Sequence, residues 1–320
     1  MKNQLKNIAK ELLLDTYKTS LTLFKILIPI SIIVKILQSF GVIPYIGTAL
    51  EPIMYLVGLP GEMGLVWATT MITNLYGGIL ALLAIQQSVP LTAAQMTVLT
   101  TIMLIAHTFP IELQVARKAG IRIRAMFIIR FGFGLLLGII LNLFYKGLNL
   151  LQHPAIITFK AKKVIDPSWA QWGISELKNY GMIVLIIFSL IVVMKILNIT
   201  GAIKFITKLF KPILGLMGIG SEVITITIIG LTLGIAYGGA LIIKETKEKK
   251  INIKDVFYAL TLMGLCHSMI EDTLLMIAIG GDISGVLFAR IIFAFITTYL
   301  IVRFTKNLSS EFFKKYLVRA

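Results

Sequence analysis

This chain of 320 residues has one cysteine, Cys266, so no internal disulfide can form. Charged residues are scarce, at 14%, and among them acids are the minority, 15 against 31 lysines and arginines. There are three histidines. No GxxxxGK[ST] run occurs, which excludes a P-loop nucleotide site. No HExxH, CxxC, paired-aspartate or Ser/His/Asp set appears either, so enzymatic chemistry is not indicated. What is abundant is apolar side chain: 57% of residues, with a mean hydropathy of +0.90. That composition excludes an ordinary soluble domain and describes an all-α integral membrane protein. The net charge of +16 sits in short loops and tails. It therefore implies positive-inside orientation and contact with anionic membrane lipid, and no nucleic-acid partner.

The first 20 residues are not expected to be a signal peptide, because Lys18, Lys25 and Lys35 interrupt the apolar run. Residues 2–17 put Leu5, Ile8, Leu12 and Leu13 on one helical face, which predicts an interfacial amphipathic helix over 1–20. Full spans are expected at 21–41, 122–145 and 180–199. Residues 62–88 are apolar with Tyr76-Gly77-Gly78 in the middle, and 92–119 are apolar until Ala106-His107-Thr108-Phe109-Pro110. Pro110 removes a backbone donor, so the helix is expected to break there. A polar connector occupies 147–178.

The pattern then repeats. His267 follows His107 by 160 positions, Asp272 follows Glu112 by 160, and Gly280 follows Gly120 by 160. Lys195, Gly201, Pro212, Gly218, Glu222 and Arg290 fall on Lys35, Gly41, Pro52, Gly58, Glu62 and Arg130 with the same offset of 160. Tyr237-Gly238-Gly239 falls on Tyr76-Gly77-Gly78 at 161. The expected division is a first repeat at 21–146, an extracytoplasmic connector at 147–178, a second repeat at 179–305 and a basic cytoplasmic tail at 306–320.

Loop charge sets the orientation of each repeat. Residues 42–61 and 86–95 carry no Lys or Arg, whereas 117–124 carries four. In the second repeat, 204–211 carries three and 244–254 five, while 273–289 carries none. Opposite orientation of the two repeats follows, with 244–254 and both termini inside and 86–95 outside. Inversion needs an odd number of crossings per repeat. Residues 62–88 and 221–243 are therefore expected to be re-entrant helical hairpins folded at Gly-Gly, one in each inverted-topology repeat, beside one broken helix and the full spans.

The HSMIEDTLLMIAIG and AHTFPIELQVARKAG stretches and the paired Tyr-Gly-Gly segments resemble bacterial nucleoside-recognition (Gate) domain membrane proteins, over about residues 20–305. That family is similar in plan to the core of concentrative nucleoside transporters and to the membrane part of bacterial ferrous-iron transporters. The resemblance implies a bacterial or archaeal cytoplasmic membrane, and binding groups at hairpin tips and unwound helices. The Gln-Thr/Ser-Glu tip and the Asn-Glu-Phe run of nucleoside transporters are absent, so the resemblance bears on architecture more than on substrate.

The residues expected to meet a substrate or ion are His107, Thr108, Glu112, His267, Ser268, Glu271 and Asp272 at the breaks. Asn74, Tyr76, Gly77, Gly78, Tyr237, Gly238 and Gly239 join them at the tips. Ionisable groups at membrane depth are expensive and face a cavity or a partner. A lone histidine there would more often be a hydrogen-bonded core residue; its repetition beside carboxylates tips the balance. His107, Glu112, His267 and Glu271 form a candidate metal set. Arg130 and Arg290 read as structural ion-pair partners of Glu62, Glu222 or Asp272. Cys266 reads as a packing residue, since the first repeat has Ala106 there. The expected function is a secondary transporter or permease for a small polar solute or ion, nucleoside-like compound and divalent metal both standing. The rival is a non-transporting membrane subunit of a cell-envelope assembly. No cofactor is required. A coupling ion (proton or sodium), a bound divalent metal and a homo-oligomer stay open.

Overall fold

The computed structural model describes residues 2–86, 88–157, 168–248, 251–306 and 308–319. Among them there is no strand, and fifteen α-helices carry the fold. The first half runs α1 (Lys2–Ser39), α2 (Ile43–Leu56), α3 (Met63–Ile72), α4 (Leu75–Ile85), α5 (Ala93–Ile105), α6 (Phe109–Lys118) and α7 (Ile123–Gly147). The second runs α8 (Trp169–Ile199), α9 (Ala202–Leu216), α10 (Ser221–Leu233), α11 (Ile235–Lys247), α12 (Ile253–Leu265), α13 (Glu271–Ala278) and α14 (Arg290–Lys306), with α15 (Ser310–Tyr316) closing the chain. A π-helical stretch, Ser284–Ala289, leads into α14. Among the described residues, five stretches are long and apolar enough to cross a membrane: Lys10–Ser39, Ala93–Lys118, Ile123–Gly147, Trp169–Ile199 and Ser284–Lys306. The protein is an all-α, multi-pass membrane protein.

Burial separates inner from outer helices. In α5, 12 of 13 residues are buried, and α12 is buried without interruption from Val256 to Leu265. A helix apolar all round is stable only when enclosed. In α8, by contrast, only Ile183, Ile187 and Leu190 are buried. Its Ile174, Leu177, Leu185 and Ile196 are exposed, as are Ile128, Leu136, Ile140 and Leu143 of α7. Apolar surface on this scale is compatible with lipid as the surrounding solvent.

The two inner helices enter from opposite ends. Near the start of α5, Gln95 Nε2 donates to Gly58 O (3.1 Å) and Asp282 N donates to Thr97 Oγ1 (2.9 Å). The start of α12 lies at the other end, where Gly220 N donates to Asp255 Oδ1 (3.1 Å). There Lys254 also stands over the Phe313 ring. Arg122 N and Arg319 N bond Leu317 O (2.9 Å) and Gly120 O (2.7 Å), docking the C-terminal segment on the same end. The basic residues Arg117, Lys118, Arg122, Lys254, Lys314 and Lys315 gather there.

The helix pairs α3/α4 and α10/α11 fold back on themselves. A Cβ built on Gly78 would lie 1.8 Å from Thr70 Oγ1, and one on Gly238 would lie 2.6 Å from the Gly230 Cα. Residues eight apart on a straight helix are separated by about 12 Å. The foot of each pair's first helix is tied to the inner helix that follows the pair, by the Gln95–Gly58 and Asp255–Gly220 bonds. The offset of 160 relates Gln95 to Asp255 and Gly58 to Gly218.

Several expectations are corrected. The turns are not at Tyr-Gly-Gly. Residues 76–78 lie in the first turns of α4, and residues 237–239 lie within α11. The chain reverses at Thr73-Asn74, where Asn74 is extended (φ −164°) and its side chain caps α4 by accepting from Gly77 N. In the second half it reverses at Gly234, with φ +100°. The paired glycines serve close helix approach, not a backbone angle. No break separates the expected 1–20 helix from the first span; α1 is continuous over Lys2–Ser39. The connector of 147–178 ends early, because a Ser168/Gln171 capping box starts α8 at Trp169. Residues 158–167 of that connector lie outside the described residues, as do Gln87, Lys249, Lys250 and Asn307 of the loops and tail.

Gly78→Val should destabilise the protein by on the order of 3 kcal/mol, because Thr70 and the Met103 side chain already occupy the space. Gly132→Ala on α7, where nothing lies within 4 Å, should be neutral or slightly stabilising. Thermal unfolding in detergent reads both; equal midpoints for the two variants would contradict the close crossing.

Candidate functional site

The site begins with two backbone breaks. Between α5 and α6 the chain passes through Ala106 (φ −124°, ψ 84°), and Thr108 takes the left-handed conformation, φ 51°. Ser268, 160 positions on, does the same at φ 44°. Such angles are unusual for residues with a Cβ, most of all a β-branched one, and cost roughly 1–3 kcal/mol each. They persist because neighbours hold them. Thr108 N donates to Thr70 O on α3 (3.1 Å), and Met269 N donates to Leu231 O on α10 (2.9 Å). Each fold-back pair thus satisfies a donor that its neighbouring break frees. Gly41/Gly201, Gly58/Gly218 and Gly120/Gly280 also share positive φ at the same spacing of 160. Pro110 sits in the first turn of α6, where a missing N–H is harmless, so the break precedes the proline instead of falling on it.

Both breaks deliver a histidine to one place. His107 and His267 are 4% and 3% exposed, and their Nε2 atoms are 3.1 Å apart. The two Nδ1 atoms face backbone carbonyls, Met103 O at 3.0 Å and Met263 O at 2.8 Å. A carbonyl only accepts, so each Nδ1 carries the proton, and in the neutral rings each Nε2 offers a lone pair. Glu112 Oε1 completes a triangle, 3.4 Å from His107 Nε2 and 3.2 Å from His267 Nε2. Three acceptors thus converge with no hydrogen between them. An added proton, on an imidazole or on the carboxylate, relieves this, and so does a metal ion. The dimensions suit a metal: a divalent ion about 2.0–2.1 Å from each ligand sets tetrahedral neighbours about 3.3 Å apart. The anchored Nδ1 positions are the second shell such a site requires.

The second Glu112 oxygen, Oε2, pairs with Arg130 Nη1, and Arg130 Nε donates to Ile105 O at 2.8 Å. The expected partners of Arg130 were Glu62, Glu222 or Asp272; its partner is Glu112. This was missed because residues 18 apart in sequence meet only once the break turns α6 back toward α7. The repeated Arg130/Arg290 spacing was the available signal. Arg290 is wholly buried, and its Nη2 donates to Thr273 Oγ1 at 3.2 Å.

The remaining expected residues divide. His107, Glu112 and His267 form the cluster, with all candidate ligand atoms within 4.8 Å; Glu271 is not part of it. Asp272 lies in electrostatic range of His267 and Arg290, and Tyr76 in range of Glu271 and Asp272. Asn74 and Gly77 are committed to the α4 cap, and Gly78, Gly238 and Gly239 to helix contacts. Ser268 packs by Gly234, where a Cβ would lie 2.8 Å from its Oγ. Tyr237 is 66% exposed. Cys266 is buried beside Arg290.

Residues 20–122 match the Gate family, described as nucleoside recognition. The chain is 28% identical over 295 residues to the uncharacterized membrane protein YvoD of Bacillus subtilis (strain 168), covering 91% of this chain and 93% of the relative. No solved structure matches.

Glu112→Gln should destabilise the fold by roughly 3–5 kcal/mol, because it leaves Arg130 buried without its counter-charge. Adding Arg130→Gln should recover part of that loss. Unfolding midpoints of the single and double variants test this; strictly additive losses would mean the pair does not act as a unit.

Proposed function

We propose that this protein is a permease for a divalent transition-metal ion, which crosses by alternating access past the His107–His267–Glu112 triangle. One observation carries the reading: two imidazoles with their Nδ1 protons committed to carbonyls turn both lone pairs onto one carboxylate oxygen, within 3.1–3.4 Å. Imidazole with carboxylate suits zinc, iron, nickel or manganese better than sodium or calcium. Arg130 holds Glu112 in place and tempers its charge, so the ion is bound without being trapped. The two fold-back helix pairs have their feet at opposite ends of the molecule and their tips at the breaks, the plan expected of inverted repeats around a midplane site. In this reading the pairs are re-entrant hairpins, each a gate to one side, and the basic end faces the cytoplasm.

A nucleoside-like solute is the second reading, supported by the family description matched at 20–122. It would use Tyr76, Glu271 and Asp272. A non-transporting subunit is the third, and it predicts no uptake of either substrate.

Purified protein in proteoliposomes should take up Zn²⁺, Mn²⁺ or Fe²⁺. Added Co²⁺ should give the visible absorption of a nitrogen- and oxygen-ligated ion. His107→Ala with His267→Ala should abolish both signals while thermal unfolding still shows a cooperative fold. Retention of uptake and spectrum in that variant would defeat the proposal, and stabilisation by nucleosides with no metal response would favour the second reading. For orientation, Ser88→Cys and Glu248→Cys sit at exposed positions at opposite ends, and the native Cys266 is buried. An impermeant maleimide added outside cells should label the first and not the second. Labelling of both from one face would overturn the inverted arrangement.

A further inference from the structure

The offset of 160 also relates two cavities. One, of about 700 Å³, lies at the foot of α3 and includes Gly58, Gln95 and Lys146. The other, of about 310 Å³, lies at the foot of α10 and includes Gly218, Asp255 and Lys306, the same three positions plus 160. The fold therefore builds one groove twice, once at each end. The linings diverge in charge. Ala94 and Leu143 of the first cavity correspond to Lys254 and Arg303 of the second. The first cavity carries one cation; the second carries three, Lys254, Arg303 and Lys306, against the single carboxylate of Asp255. That carboxylate already accepts from Gly220 N at 3.1 Å. The equivalent groove folds without the added charges, of which Lys254 also stands over the Phe313 ring.

The second cavity also opens onto apolar surface. Leu216 at its rim is 84% exposed, Tyr299 46%, and along α14 Phe304, Leu300 and Ile296 are exposed in turn. A soluble anion has no use for such a strip; an acyl chain has. We infer that this cavity binds the headgroup of an anionic phospholipid of the leaflet at the basic end, with its phosphate among Lys254, Arg303 and Lys306 and its chains along α14. Asn252 and the exposed Tyr299 hydroxyl supply the remaining polar wall for a glycerol headgroup. Because Asp255 clasps the foot of α10 next to Lys254, an occupied cavity braces that helix pair at its base. The inference does not depend on what the central site binds; it needs only that the basic end meets a membrane surface.

The full chain is placed in nanodiscs of phosphatidylcholine with and without phosphatidylglycerol, and retained lipid is counted by native mass spectrometry alongside the unfolding midpoint. Phosphatidylglycerol should be retained by the wild type and raise its midpoint. Lys254→Gln, Arg303→Gln and Lys306→Gln together should weaken retention by roughly a hundredfold, from about one power of five per cation. Lys204→Gln, Lys208→Gln and Lys211→Gln on α9, outside the cavity, should leave it within a few-fold. If the cavity triple variant does not fold, the exposed single change Arg303→Gln should still lower retention about fivefold. Equal retention by wild type and cavity variants, or equal losses in both triple variants, would overturn the inference. So would an equal rise in midpoint with sodium phosphate in pure phosphatidylcholine, which would mark a soluble-anion site instead.

Discussion

The structure depends on what the histidine Nδ1 protons do. In the last turn of α5 and of α12 the chain stops being helical, and a carbonyl four residues back, Met103 or Met263, is left to be satisfied. The imidazole of His107 or His267 fills that need with Nδ1. This couples the break to the site: the same bond that closes the helix end fixes the tautomer and aims Nε2 at the other repeat. A histidine on an intact helix would have no free carbonyl to hold it. The unusual backbone at Thr108 and Ser268 is part of the same arrangement, since it frees the carbonyl and turns α6 and α13 away from the helix axis.

The two halves share backbone turns at equivalent positions and differ in side chains. Four pairs of positive-φ residues keep the spacing of 160. At the centre, however, the equivalent of Glu112 is Asp272, shorter by one methylene. Glu112 spans two histidines and Arg130 at once; Asp272 stays near His267 and Arg290 without entering the triangle. Two equal carboxylates at that distance would repel each other and compete for the same imidazoles. The asymmetry gives the histidine pair one carboxylate oxygen instead of two.

Much of this was legible in the sequence. The all-α membrane class followed from composition, and the fixed offset singled out His107 and His267, which the structure brings together with Glu112. Repetition is visible without a structure, and ionisable groups in apolar helices are few enough to stand out. What could not be read were contacts created by the turns themselves. Tyr-Gly-Gly looked like a bend because glycine is the usual bend residue; the actual reversals use an asparagine cap in one half and Gly234 in the other. The glycines are explained by Thr70, Gly230 and Val115 pressing on them, neighbours that no local rule reveals. Arg130 was seen as an ion-pair residue, but its partner depended on the direction in which α6 leaves the break.

Desolvation sets the balance at the centre. Glu112 and Arg130 neutralise each other, and the two histidines add no charge when their Nδ1 protons are their only ones. A neutral cluster can stay buried at 1–6% exposure, where a lone carboxylate could not. In the proposed permease an arriving cation would add uncompensated charge to that dry centre, and would bind against a resistance that grows with its charge. Ligand geometry offsets the resistance for an ion that takes imidazole nitrogen well, and hardly at all for a hard, strongly hydrated one. The counter-charge of Arg130 thus stabilises the buried carboxylate, and in the proposed permease it would also act on selectivity, because it withholds the simple anionic attraction that would let any cation in.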